Sequence, residues 1–74
     1  VNRDWYYTFG SDHERSGSYA VVSVPEQYDP RPLLIGWLGS NAFGSEYSQE
    51  QWPQVQAAHH QDQPPAVIIR VDLP

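Results

Sequence analysis

A chain of 74 residues that contains no cysteine has no disulfide or thiolate metal site to hold it together. Packing alone must stabilise it. A chain this short hides a modest share of its surface on folding, so its core has to be compact. The material for that core is aromatic: three Trp, five Tyr and two Phe. Each such ring carries a large apolar area into the interior. The length allows one domain, residues 1–74. The absence of cysteine is also compatible with a reducing cytosol.

The rings are not spread evenly. In Asp4-Trp5-Tyr6-Tyr7-Thr8-Phe9 aromatic and β-branched residues dominate, and the segment reads as a strand. The period of two puts Trp5, Tyr7 and Phe9 on one face, with Tyr6 and Thr8 on the other. Gly10 opens a polar loop, and residues 18–24 read as a second strand. There Ala20, Val22 and Val24 share one face, and Tyr19, Val21 and Ser23 the other. The loop favours an antiparallel hairpin with a longer connection than a two-residue turn. Asp29-Pro30 is a helix-start signal, since Asp can cap free backbone donors and Pro suits the first helical position. The spacing predicts a short buried helix over 30–39, ended by Gly39 or Asn41. A buried strand is the competing reading of its apolar run.

Residues 39–47 read as an irregular connection with two aromatic anchors, Phe43 and Tyr47. Ser48 and Gln51 match the capping-box spacing, with Tyr47 and Trp52 placed as its hydrophobic staple. A helical segment from about 49 to 59 follows. Pro53 makes its start ambiguous: either the helix begins later, with Pro53 near its first position, or Ser48 opens a separate single turn. Residues 66–72 alternate as a strand, with Val67, Ile69 and Val71 on one face. The expected fold is α+β in the order β-β-α-(α)-β. It has a small antiparallel three-stranded sheet with one or two short helices packed on one face.

Charge narrows the function. The net charge is −5, lysine is absent, and the four basic residues are Arg3, Arg15, Arg31 and Arg70. Four scattered arginines make a poor footprint for a phosphate backbone, so no nucleic-acid partner is expected. The apolar runs are too short to span a membrane, and no membrane partner is expected. No Ser, Thr or Cys stands in a recognisable nucleophile setting, and no Gly-x-Ser-x-Gly elbow is present. No catalytic residue, metal ligand set or cofactor is assigned.

Two groups of residues nonetheless carry chemistry. The first loop concentrates Asp12, His13, Glu14 and Arg15, and loops on rigid scaffolds commonly carry function. His13 with a neighbouring carboxylate could serve as a general base, although a solvated loop with locally paired charges is the plainer reading. His59 and His60 are adjacent, whereas helical metal pairs sit three or four apart. One of them joining His13 and a carboxylate would make a two-histidine site, against the plainer reading of an exposed helix end. The tryptophans read first as core. The alternative is that one or two are interface anchors, since Trp, Tyr and Arg are enriched there. Tyr6, Tyr28 and Tyr47 are expected to reach the surface. Tyr6, Tyr28 and Trp52 join the loop residues as candidate binding residues.

Trp5-Tyr6-Tyr7-Thr8-Phe9-Gly10, the nearby His13 and the returning Tyr19-Ala20-Val21-Val22 resemble a loose group of small proteins encoded by bacteriophages and prophages. Asn41 to Ser48 is similar to a later aromatic segment of that group. The likeness covers roughly residues 5–52, and Asp12 replaces a glycine before the histidine. It implies a phage or prophage product in the cytoplasm of a bacterial host, and no particular activity. The expected function is therefore that of a small acidic, non-enzymatic protein-interaction domain with a protein partner or a second copy. Two alternatives stand beside it: a small enzyme or metal-binding protein using His13 with His59 or His60, and an acidic inhibitor that mimics nucleic acid.

Overall fold

A computed structural model describes residues 1–72; the last two residues of the expected domain, Leu73 and Pro74, lie outside the described residues. The elements run β1 (Asn2–Thr8), β2 (Tyr19–Pro25), α1 (Arg31–Leu38), β3 (Glu46–Ser48), α2 (Trp52–His59) and β4 (Val67–Arg70). This is a small α+β fold, as expected. β1 and β2 form the antiparallel hairpin, with Trp5 opposite Val22, Tyr7 opposite Ala20 and Thr8 opposite Tyr19. The alternation holds. Tyr7, Phe9, Ala20, Val22 and Val24 form one buried cluster together with Leu34 of α1. Leu33, Leu38, Phe43, Val67, Ile69 and Val71 pack around its margin.

α1 lies over this face because its local signals agree with its packing. Asp29 Oδ1 accepts the Arg31 N–H at 3.0 Å, so one free donor of the first turn is satisfied just ahead of the helix. Pro32 falls within that turn, where its missing N–H costs nothing. Gly39 ends the helix at φ 83°, and its N–H donates to Ile35 O at 2.8 Å. That left-handed conformation suits glycine.

The sheet differs from the three-stranded antiparallel expectation. It has four strands in the order β3-β1-β2-β4 and is mixed. β4 runs parallel to β2, with Val21 opposite Ile68 and Val22 opposite Ile69. Ala66 N–H donates to Tyr19 O at 2.7 Å and Val71 N–H to Ser23 O at 2.9 Å, extending the ladder at both ends. Alternation marks a strand but says nothing of its direction. Here the chain between β2 and β4 is long enough for the crossover that parallel pairing requires. The added strand, β3, comes from the segment expected to be irregular. Tyr47 sits opposite Tyr6 and Ser48 opposite Trp5 on the free edge of β1. Three residues are too few to display a period.

The second helix resolves the ambiguity at its start and ends at His59, as expected. Ser48 and Gln51 do exchange the reciprocal capping bonds: Ser48 N–H donates to Gln51 Oε1 at 3.1 Å, and Gln51 N–H reaches Ser48 Oγ at 3.4 Å. They close a separate turn, and α2 starts only at Trp52, with Pro53 in its first turn where it breaks no bond. Trp52 then lies on the face of the sheet opposite α1, stacked on Tyr6 at 4.7 Å. The sheet therefore carries aromatic cover on both sides. That cover stops short of β4, whose Ile68 is 65% exposed.

Candidate functional site

The first loop is a chain of turns. His13 N–H donates to Gly10 O at 3.0 Å, Ser16 N–H to His13 O at 2.9 Å, and Ser18 N–H to Arg15 O at 3.0 Å. Two side chains fasten it to the domain. The His13 ring stacks on Phe9 with centroids 4.9 Å apart, and its Nδ1 accepts the Arg15 N–H at 3.0 Å. The ring proton of neutral His13 is thereby placed on Nε2. Arg15 holds its guanidinium 4.7 Å over the Trp37 ring of α1 and donates to Glu14 at 3.0 Å. The loop thus rests on the core through Phe9 and on the outer side of α1 through Trp37.

Gly10, Ser11, Asp12 and His13 form one wall of an open concavity of about 470 Å³; Ala42, Phe43 and Gly44 form the other. The second wall is held by β1. Gly44 N–H donates to Thr8 O at 2.7 Å, Thr8 N–H donates to Ser45 O at 3.0 Å, and Ser45 N–H donates to Thr8 Oγ1 at 3.2 Å. Phe43 meets Tyr7 edge-on at 5.1 Å. A side chain at position 44 would meet Thr8 O at 3.2 Å and Gly10 N at 3.3 Å. Glycine therefore lets the two walls approach.

The Tyr7 hydroxyl lies beneath this region, in the fully buried core, and donates to Glu46 Oε2 at 2.6 Å. Burial, and then the bond to Glu46, push its ionisation well above the ordinary tyrosine range. Tyr6 is raised in the same direction by burial, with the Asp4 charge adding to it. Neither phenol is placed to act as an acid or base near neutral pH, which general catalysis requires.

The remaining candidates do not gather at this concavity. His60 stacks on Trp52 at 5.5 Å and meets Tyr19 at 5.7 Å, on the face of the sheet opposite Phe9 and His13. His59 is exposed. The sheet separates His13 from the His60 ring, and among the described residues no group of three or more His, Cys, Asp or Glu is arranged to hold a metal ion. Trp52 is 4% exposed and forms the hub of a ring cluster with Tyr6, Tyr19, Tyr47 and His60. It is an interior residue, in keeping with the first reading of the tryptophans as core; its alternative reading as a binding residue does not fit that burial. Tyr6 is half-buried under it. Tyr28 reaches the surface at 44% exposure.

Sequence reasoning missed the two outward residues of α1, Ile35 and Trp37, at 37% and 36% exposure. For Ile35 the signal was available, since it follows the buried Leu34 by about 100° around the helix and turns away from its face. Trp37 stands three positions on, where the period returns toward that face, so its exposure is set by packing and not by period.

No helix among the described residues is long and apolar enough to cross a membrane. Comparison with protein-family models, curated proteins and solved structures finds no match to this chain.

Proposed function

We propose that this chain is a small, acidic, non-enzymatic interaction domain that binds a protein of a bacterial host or phage. The surface it uses is built from the first loop and the outward side of α1. The observation that carries the reading is the seat of Arg15 on Trp37, which joins a polar loop to an exposed tryptophan. Trp and Arg are the residues most enriched at the energetic centres of interfaces. Asp12, His13 and Glu14 of the same loop supply polar contacts, and Tyr28 is exposed in the turn after β2. A net charge of −5 favours a basic partner surface and speeds its encounter.

The alternatives have less support. The histidines face opposite sides of the sheet. Five of the nine acidic residues are engaged in ion pairs with arginines, which leaves little of the regular acidic stripe that imitates a phosphate backbone.

An aromatic photo-crosslinking amino acid, benzoylphenylalanine, placed at position 37 so that a ring stays beneath Arg15, tests the reading, with a second at the exposed Ala58 of α2 as control. In bacterial lysate, and with the purified protein alone, position 37 is expected to give one dominant adduct that position 58 does not. Size-exclusion with light scattering separates a second copy from a different partner. No adduct at position 37, from a protein that remains folded and strictly monomeric, would count against the proposal.

A further inference from the structure

All four arginines are engaged within the chain. Arg3 pairs with Glu50 at 2.8 Å, Arg15 with Glu14 at 3.0 Å, Arg31 with Asp29 at 3.4 Å and Glu46 at 3.7 Å, and Arg70 with Asp72 at 3.0 Å. Among the described residues, the carboxylates that these pairs leave over are Asp4, Asp12, Glu26 and Asp62. Of those four, Asp12 is the one that lines the concavity between the first loop and residues 42–44. It is exposed and free to turn toward an occupant.

The rest of that concavity suits a cation with a flat, apolar face. Phe43 and His13 contribute aromatic rings, and Ala42, Gly10 and Gly44 leave the floor open. A side chain at Gly10 would meet nothing within 4 Å, so the space beside Gly10 is open. A guanidinium can bond a carboxylate through two N–H groups while lying against an aromatic surface. The same residue pairing already occurs within the chain, where Arg15 bonds Glu14 and lies over Trp37.

We propose that this concavity receives an arginine side chain presented by a partner protein, with Asp12 as the charged anchor and Phe43 as the aromatic surface. The proposal rests on the reading of the domain as an interaction module and names the chemistry its partner must bring. A second copy of the chain is a weaker donor, because each of its arginines would first have to leave its own carboxylate and it has no lysine. The occupant is therefore assigned to a different protein.

The test is an amide NMR titration at low salt with the peptide acetyl-Gly-Arg-Gly-amide. Matched peptides carry lysine or the neutral isostere citrulline. Shifts are expected at Gly10–His13 and Ala42–Gly44 with the arginine peptide, weaker with lysine and absent with citrulline. Asp12→Asn is expected to weaken binding about fivefold, the usual upper range for an exposed charge pair. Added salt should weaken it further. The spectrum of each variant reports directly whether the fold is kept.

An equal response to citrulline overturns the proposal. So do unchanged binding in Asp12→Asn and shifts scattered around Asp4, Glu26 and Asp62. Crosslinking separates the two readings. Capture through position 37 that ignores Asp12→Asn removes the arginine site and leaves the interaction domain standing. Peptide binding at the concavity without capture at position 37 does the reverse.

Discussion

Replacing Trp52 by alanine distinguishes an internal tryptophan from a binding one. Trp52 is 4% exposed and lies within 4.7 Å, centroid to centroid, of both Tyr6 and Tyr19, with Tyr47 and His60 at 6.1 and 5.5 Å. Truncating a core aromatic to alanine costs about 3–5 kcal/mol, from lost transfer energy and the cavity left behind. A domain of 74 residues has a total stability of roughly 4–11 kcal/mol. Trp52→Ala should therefore remove about a quarter of the stability at least, and can unfold the protein outright. Trp37 is 36% exposed and its partner is the Arg15 guanidinium, so Trp37→Ala should cost only about 1–2 kcal/mol. Urea unfolding followed by far-ultraviolet circular dichroism measures both, with Trp52→Phe as a variant that keeps a ring in the cluster. Pull-down from lysate with the immobilised domain should invert this order: Trp37→Ala abolishes partner capture, and Trp52→Phe leaves it intact. A cost below about 1.5 kcal/mol for Trp52→Ala, or a larger cost for Trp37→Ala, would refute the assignment of the two tryptophans.

The Tyr7 phenol ionises far less readily in the folded chain than in the unfolded one, so its contribution is complete below pH 10 and declines above it. Stability should fall by up to about 1.4 kcal/mol per pH unit beyond that point, with Tyr6 acting in the same direction. Urea unfolding at pH 10 and 11 should show a shallower fall in Tyr7→Phe, and an identical fall in both proteins would contradict the buried bond to Glu46. Gly44→Ala should cost about 1–3 kcal/mol, because the new methyl meets backbone atoms of Thr8, Gly10 and Phe9, whereas Gly10→Ala should be tolerated. Thermal unfolding of the two variants checks this, and equal losses would count against the close approach of the two walls. Asp72 is held below the usual carboxylate range, first by its hydrogen bond from Arg70. Its small contribution should persist down to acid pH and vanish as the pH falls through that lowered value. An NMR titration should place the Asp72 midpoint low in the native chain and higher in Arg70→Gln; no difference between them would exclude the pairing.

Much of the site's support was legible in the residues. Phe9 faces the core because it keeps the period of Trp5 and Tyr7, and it is the ring on which His13 rests. The polar run from Asp12 to Arg15 identified the loop. Its counterpart, Ala42 to Gly44, carried no signal of contact, because its approach depends on bonds from Gly44 and Ser45 to Thr8, more than thirty residues earlier. Likewise both tryptophans read first as core, and the structure buries Trp52 while it leaves Trp37 at the surface. Only the packing around each ring distinguishes them.

Local chemistry was enough to set the hairpin, its two faces, the caps of α1 and the turn between Ser48 and Gln51. Each depends on steric period or on hydrogen bonds between residues close in the chain. The parallel course of β4, the recruitment of Glu46–Ser48 as an edge strand, and the meeting of the two loops around Asp12 arose only when distant segments packed. Those choices compare whole arrangements of apolar surface and backbone donors, and no short stretch of sequence contains both partners of the comparison.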